Sequence, residues 1–95
     1  MSPQTIERPR TSGPGSGTGD GWKVIVRNDH HNTFDHVATT LASVIPGVSL
    51  EKGYSLANRI HNGGLAIVWI GHRELAEHYW AQLRDAGLTM APLER

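Results

Sequence analysis

The sequence predicts an α+β domain with the element order β-α-α-β-α-β, in which a three-stranded sheet packs against three helices. In three separate stretches, apolar residues recur at intervals of three and four, as they do on one face of an amphipathic helix. Beside these stretches lie short runs of β-branched and other apolar residues, bounded by Gly, Asn or Pro, which are typical of strands. With 95 residues, the chain has room for one small domain with a single core.

Residues 1–21 are predicted to be a disordered N-terminal extension, and residues 22–95 the folded core domain. The extension alternates glycine with other residues from Gly13 to Gly21, and Ile6 is its only branched aliphatic residue. Such a segment cannot bury enough apolar surface to offset the entropy lost on ordering. Composition alone is equally compatible with a tail that has no role.

The first half of the core should form a strand and two helices. Residues 22–27 are predicted as a strand because β-branched residues there lie between Gly and Asn-Asp. The first helix should begin at Phe34 and end before Pro46. Ser49 is predicted to cap the second helix, which glycines at 63–64 should end. The apolar side predicted for this second helix consists of Leu50, Tyr54, Ala57, Ile60 and His61.

The second half should form two strands and one helix. Residues 65–70 are continuously apolar, so we predict that they form the central strand, covered on much of both faces. Residues 73–86 are predicted as a helix with Gly87 as its C-cap. Residues 88–93 should form a last short strand at a sheet edge, since Pro92 cannot donate a ladder hydrogen bond. The side chains predicted to be buried on the third helix are those of Leu75, Ala76, Tyr79, Trp80 and Leu83.

Composition excludes several kinds of partner and chemistry. The formal net charge is zero, with nine basic and nine acidic residues, which predicts no binding to nucleic acid or to an anionic membrane. Cysteine is absent, so disulfides and thiolate chemistry are excluded. No apolar run approaches the roughly 18 residues of a membrane span, and the amino terminus lacks the apolar core of a secretory signal. We therefore expect a cytoplasmic monomer with protein or peptide partners; an organelle transit peptide remains an alternative.

The polar stretch of residues 28–36 lies between the first strand and the first helix. As an isolated feature, it is explained equally well by an ordinary helix cap. Together with His61, however, Asn28 and Asp29 form a set typical of an ammonium site. An Asn carbonyl oxygen, an Asp carboxylate and a neutral imidazole can each accept a hydrogen bond from a protonated amine. For His61 alone, the competing interpretation is a helix-end histidine that donates to a backbone carbonyl.

Six histidines without cysteine permit a second interpretation, a small metal-binding domain or metal-dependent hydrolase. Its candidate ligands are His30, His31, His36 and His61. No pair of histidines has the i, i+4 spacing with a Glu that zinc hydrolases use, and no G-x-S-x-G elbow marks an activated serine. We therefore predict no catalytic residue, no metal ligand and no cofactor.

Four motifs resemble a known family when they are taken together. They are the strand leading into Asn28-Asp29, Asn32-Thr33-Phe34-Asp35, His61-Asn62-Gly63-Gly64 and Glu74-Leu75-Ala76-Glu77. In this combination the sequence resembles the ClpS adaptors, which recognise N-degrons and hand the proteins that carry them to the Clp protease. The resemblance spans residues 22–95. The segments at 44–48 and 87–89 look closest to the cyanobacterial and plastid branch.

The resemblance implies an adaptor without catalytic activity, located in the cytoplasm or, in a plant, in the plastid stroma. Asn28, Asp29 and His61 would hold the free α-amino group of the substrate, beside a pocket for a first side chain such as Leu, Phe, Tyr or Trp. The pocket residues implied are Thr33, Phe34, Val37, Ala57, Ile60 and Thr89. Glu74 and Glu77 would dock on the N-terminal domain of a Clp AAA+ ATPase, and the N-terminal extension would assist delivery. Ala57 and Phe34 stand where many members carry Met, so pocket volume is redistributed.

Overall fold

A computed structural model describes residues 21–95. In this part of the chain, three strands and three helices follow one another in the predicted order. They are β1 (Trp22–Arg27), α1 (Phe34–Val44), α2 (Leu50–Gly63), β2 (Leu65–Gly71), α3 (Arg73–Asp85) and β3 (Thr89–Met90). The predicted α+β class is confirmed. The disordered extension predicted for residues 1–21 lies outside the described residues, except for Gly21.

The sheet corrects one prediction, because its central strand is β1. The strand order is β2-β1-β3, and both neighbours run antiparallel to β1. Residues 65–70 therefore belong to an edge strand within the described part of the chain. The third strand is at an edge, as predicted, but it is only two residues long, followed by a bridge between Lys23 and Glu94. Three consecutive buried residues, Val24 to Val26, are the burial pattern that marks β1 as the middle strand.

The apolar run of β2 has one covered face and one exposed face, and a β-bulge shifts the alternation between them. Val24 pairs with Trp69 whereas Ile25 pairs with Ile67, so Val68 is an extra residue on β2. Val68 is buried, whereas Ile67 is 40% exposed. The outward-facing apolar residues of this strand are Leu65, Ile67 and Ile70. One face of β2 is therefore covered and the other is open to solvent.

All three helices contribute to one hydrophobic core on the covered face of the sheet. The members of this core are Val24, Val26, Leu41, Ile45, Leu56, Ile60, Ala66, Val68, Ala76, Leu83 and Leu88. Helices α1 and α2 approach closely, since a Cβ atom added at Gly53 would collide with the carbonyl oxygen of Ala38. The absence of a side chain at Gly53 thus sets the distance between the two helices.

The helix ends follow the capping residues of the sequence. The Thr33 hydroxyl accepts from the His36 amide at 3.0 Å, and the Ser49 hydroxyl accepts from the Lys52 amide at 3.1 Å. Gly64 ends α2 with a φ of 91°, in the left-handed region that favours glycine. The prediction that Gly87 caps α3 is one residue late, because the C-cap is Ala86.

The helix surfaces correct two predictions of burial. Leu75 is 46% exposed although its helical spacing placed it with the buried residues of α3. Leu50, at the start of α2, is 52% exposed, whereas Leu56 is buried in the core. Both exposed leucines lie in the first turn of a helix, so the helical periodicity that predicts an apolar face does not guarantee its burial there.

Candidate functional site

The Asp29 carboxylate is the most densely bonded side chain of the polar turn. Its Oδ1 atom accepts hydrogen bonds from the backbone amides of His31 and Asn32, each at 2.8 Å. Its Oδ2 atom accepts from the Asn32 side-chain amide at 2.8 Å and from the Thr89 hydroxyl at 2.6 Å. A carboxylate has about four lone-pair positions, so the chain itself occupies each of them. These bonds hold the turn in one conformation.

Hydrogen bonding also decides the charge of Asp29. Burial by itself would raise the pKa of this carboxyl, but the hydrogen bonds from Thr89, Asn32 and His31 outweigh burial and hold the pKa of Asp29 well below its ordinary value of 3.8. The side chain is therefore a fixed negative charge at neutral pH, in a turn that is only half-buried.

Asn32 connects this turn to the loop after α3. Its Nδ2 group donates to the Gly87 carbonyl at 2.8 Å in addition to Asp29. Nearby, the Nε2 atom of His36 lies 2.9 Å from the Ala86 carbonyl oxygen. Sequence reasoning did not select Asn32 as a site residue. An Asn three residues after an Asp in a turn is a local signal for the bond to Asp29, but nothing local indicates the bond to Gly87.

The C-terminal end of α2 lies next to the polar turn. The Asn28 amide donates to the carbonyl of Gly64 at 2.8 Å, and Gly64 is the C-cap of α2. His61 is in the last turn of the same helix. The side chains of Asn28 and His61 are both exposed. The fold thus brings the segment that carries Asn28 and Asp29 to the helix end that carries His61.

The predicted pocket residues fall into two groups. Val37 on α1 is half-buried, and Ala57 and Ile60 on α2 are buried. Phe34, at the start of α1, is 42% exposed. These four side chains belong to the two helices that pack together most closely, and Phe34 is the one that reaches solvent.

The two threonines of the predicted pocket have hydroxyls that already bond to the chain. Thr33 caps α1, and Thr89 donates to Asp29. Their hydroxyl groups therefore shape the turn, while their methyl groups are the parts that can contact an apolar ligand.

Tyr54 joins α2 to the first turn of α1. Its hydroxyl donates to the Asp35 carboxylate at 2.9 Å, and its ring centroid lies 5.8 Å from that of Phe34. The bond to Asp35 raises the pKa of the Tyr54 hydroxyl above its ordinary value of 10.0, because the bond favours the protonated phenol. Sequence reasoning placed Tyr54 on the apolar side of α2 and assigned it no role in the site.

The first turns of α3 present a second candidate surface. Glu74 and Glu77 are exposed there, and Leu75 lies between them. Glu77 forms an ion pair with Arg73 at 3.2 Å, in which both side chains are more than half exposed. Exposed pairs of this kind are weak, so the Glu77 carboxylate remains accessible to a partner.

The histidines do not form a metal centre in the described residues. Within residues 21–95, no group of three or more His, Cys, Asp or Glu side chains is arranged to hold a metal ion. The metal-binding interpretation of the sequence therefore has no geometric support in this part of the chain. In the same range, no helix has the length and apolar character needed to cross a membrane.

Comparison with known proteins identifies the family. The family model of the ATP-dependent Clp protease adaptor protein ClpS matches residues 18–94. The chain belongs to the ClpS family. The Clp protease adapter ClpS of Synechocystis sp. is 54% identical over 74 residues, which cover 78% of this chain and 76% of the relative. That of Nostoc sp. is 56% identical over 73 residues, covering 77% and 75%.

A plant relative and a solved structure extend the comparison. The chloroplastic Clp protease adapter of Arabidopsis thaliana is 34% identical over 67 residues, which cover 70% of this chain and 42% of that protein. The structure of Agrobacterium tumefaciens ClpS2 bound to L-phenylalaninamide has a TM-score of 0.68 and 24% identity, covering 80% of this chain and 99% of that one. This structural likeness shows that the two proteins share a fold.

Proposed function

We propose that this protein is an adaptor that binds the free N-terminal residue of a protein substrate and delivers the substrate to the Clp protease without cleaving it. The observation that carries the proposal is the position of the anionic Asp29 turn beside the C-terminal end of α2. Membership of the ClpS family supports it. The ligand of the Agrobacterium structure, L-phenylalaninamide, carries a free α-amino group on a bulky apolar residue, which fits the same chemistry.

An α-ammonium group would find three sources of attraction at this position. The Asn28 side-chain carbonyl and the neutral His61 imidazole can accept hydrogen bonds. Helix α2 directs its C-terminal end, equivalent to about half a negative elementary charge, toward the turn. Asp29 adds a full negative charge. Because four donors from the chain already surround its carboxylate, Asp29 contributes mainly through this charge and through the shape of the turn.

The first side chain of the substrate would then enter between α1 and α2. Val37, Ala57 and Ile60 would form the apolar wall there, with Phe34, which is 42% exposed, at its solvent side. Transfer of a Leu or Phe side chain from water into such a site is worth about 1.5 to 3 kcal/mol. A bulky hydrophobic first residue, Leu, Phe, Tyr or Trp, is therefore the substrate class that we propose.

Delivery requires a second surface, for which we propose the start of α3. Glu74 and Glu77 supply charge there, and the exposed Leu75 supplies an apolar contact. The partner would be the N-terminal domain of a Clp AAA+ ATPase, with residues 1–21 assisting the transfer. The adaptor would act as a monomer in the compartment that holds the protease, the cytoplasm or a plastid stroma.

The test is a binding titration with two peptides that are identical except at the amino group. Acetylation removes the positive charge, so the acetylated Leu-first peptide should bind more weakly by about 2 to 5 kcal/mol, the range measured when one member of a buried charge pair is removed. A third peptide, with Gly first and Leu second, controls for nonspecific binding of the apolar side chain. It should bind as weakly as the acetylated peptide. Equal binding of the free and acetylated peptides would show that the proposal is wrong.

A measurement of bound metal tests the remaining alternative. Zinc that stays with the purified protein in stoichiometric amount after dialysis would favour a metal-binding domain. We expect that any zinc is lost from the protein on dialysis and that the affinity of the protein for the free-amine peptide does not change.

A further inference from the structure

Tyr54 belongs neither to the amine site nor to the apolar wall described above, yet it contacts Phe34, the most exposed side chain of that wall. Its ring lies 5.8 Å from the ring of Phe34 and is inclined to it by 32°. Its hydroxyl donates to Asp35, which follows Phe34 in the chain. Tyr54 is half-buried, whereas Phe34 is exposed. The two rings therefore lie at the edge of the contact between α1 and α2.

Helical spacing places this pair at the opening of the proposed pocket. Phe34 and Val37 are three residues apart on α1, and Tyr54 and Ala57 are three residues apart on α2, so each pair shares a helix face. Since Phe34 contacts Tyr54, the row on α1 faces the row on α2. Phe34 also follows Thr33 directly, so it is the residue of the apolar wall nearest in sequence to the turn that holds the amine.

The position of the amine decides which part of a substrate would meet Phe34. A bound α-ammonium group fixes the adjacent Cα atom, and the Cβ atom is one bond further. Substituents on Cβ must therefore pass the part of the pocket nearest the turn, which is the rim formed by Phe34. Leu and Phe carry a single heavy-atom substituent on Cβ, whereas Ile and Val carry two.

An exposed Phe ring does not hold one position unless a neighbour restrains it. Tyr54 is such a neighbour, and its own ring is restrained by the hydroxyl bond to Asp35 at 2.9 Å. This bond joins residues 19 positions apart on different helices, so it also fixes the two helices relative to each other at this point. Removal of the hydroxyl should free both rings without opening the core.

We infer that Tyr54 is a positioning residue that sets the selectivity for the first substrate residue, by holding the Phe34 ring where it disfavours branching at Cβ. The inference rests on the proposed binding of a free N-terminal residue. It adds to the proposed site a residue that acts through Phe34. Tyr54 does this without touching the amine.

The experiment compares the affinities of two peptides that differ only in a Leu or an Ile at the first position. Tyr54→Phe keeps the ring and loses the bond, and Asp35→Ala removes the acceptor. In each variant the preference for Leu over Ile should fall by about 2- to 12-fold, which is the fold-change equivalent of the net energy of one hydrogen bond. The double variant should show no further fall, because both changes break the same bond. Tyr79→Phe is the matched control, since Tyr79 packs edge-on against Trp69 on a different part of the core, and it should leave the preference unchanged.

Two outcomes would overturn the inference. One is an unchanged Leu-to-Ile preference in Tyr54→Phe; the other is an equal weakening of both peptides, which would indicate a general structural role. If Asp35→Ala is less stable than the wild type, the Leu-to-Ile preference of Tyr54→Phe is sufficient to test the inference. Failure of the proposed function is recognised separately, because the wild-type protein would then fail to distinguish free from acetylated peptides.

Discussion

The hydroxyl of Thr89 donates a 2.6 Å hydrogen bond to the carboxylate of Asp29, which lies 60 residues earlier in the chain. The bond connects the first residue of β3 to the turn after β1. Both side chains are partly buried, and the acceptor is charged. Hydrogen bonds to charged groups contribute about 1.5 to 3 kcal/mol, more than those between neutral groups. The contact therefore links the stability of the sheet edge to the shape of the candidate amine site.

Thr89→Val tests this link while keeping the shape of the side chain. We expect the free energy of unfolding to fall by about 1 to 3 kcal/mol, because Asp29 loses one of its four donors. Affinity for a free-amine peptide should fall with it, since the turn is less firmly held. Thr39→Val is the control: Thr39 is exposed on α1 and bonds only to carbonyls of its own helix, an arrangement that adds little stability. Denaturant unfolding measures both variants, and an equal loss of stability in the two would contradict the prediction.

The lowered pKa of Asp29 predicts how stability changes with pH. A carboxyl whose pKa is lower in the folded state stabilises the fold fully above its ordinary pKa of 3.8, and this contribution is lost as the pH falls below that value. The difference in unfolding free energy between the wild type and Asp29→Asn should therefore be constant near neutral pH and shrink in acid. Asp85→Asn, at an exposed carboxylate that only pairs with Arg84, should change stability little at any pH. A difference between wild type and Asp29→Asn that stays constant into strong acid would refute the argument.

Gly53→Ala tests the close approach of α1 and α2. A Cβ atom at this position would collide with the backbone of Ala38, so the helices must separate and the free energy of unfolding should fall by about 1 to 3 kcal/mol. Gly63, at the end of the same helix, has no atom within 4 Å of an added Cβ. There the same change should be neutral or stabilising by up to about 1 kcal/mol, because alanine restricts the unfolded chain. In thermal unfolding, the melting temperature should fall for Gly53→Ala and should stay the same or rise for Gly63→Ala.

The docking surface proposed for α3 can be tested apart from the proposed peptide site. Glu74→Lys should weaken binding to the N-terminal domain of the Clp ATPase and leave peptide affinity unchanged, since it reverses an exposed charge at the start of α3, whereas the polar turn contacts the loop after the other end of this helix. Leu75→Ala should also weaken docking, with little loss of stability because the side chain is 46% exposed. Glu51→Lys is the matched control, another exposed acidic residue in the first turn of a helix. Should Glu51→Lys and Glu74→Lys affect docking equally, the surface lies elsewhere.

Sequence reasoning predicted which residues form the candidate amine site but not how the fold holds them. Asn28, Asp29 and His61 are polar groups in recognisable positions, and their combination matched a family pattern. The donors that surround Asp29 were not predictable as a set. Three come from its own turn, but the hydroxyl of Thr89 comes from another strand. The role of Tyr54 was hidden for the same reason, because its partners Phe34 and Asp35 lie on another helix.

The limits of α1 and α2 were determined by the sequence itself, because their causes are local. Thr33 and Ser49 satisfy free amides within three residues, and Gly64 supplies a backbone conformation that other residues adopt only with strain. The order of the strands, the exposure of Ile67 and the exposure of Leu75 were decided only by the tertiary structure. The spacing of apolar residues in the sequence shows which of them share a face that could be buried. It does not show whether another element covers that face. Which residues are covered depends on where elements distant in the chain come to lie. On β2 and in the first turn of α3 no such element covers the apolar residues Ile67 and Leu75, which stay open to solvent.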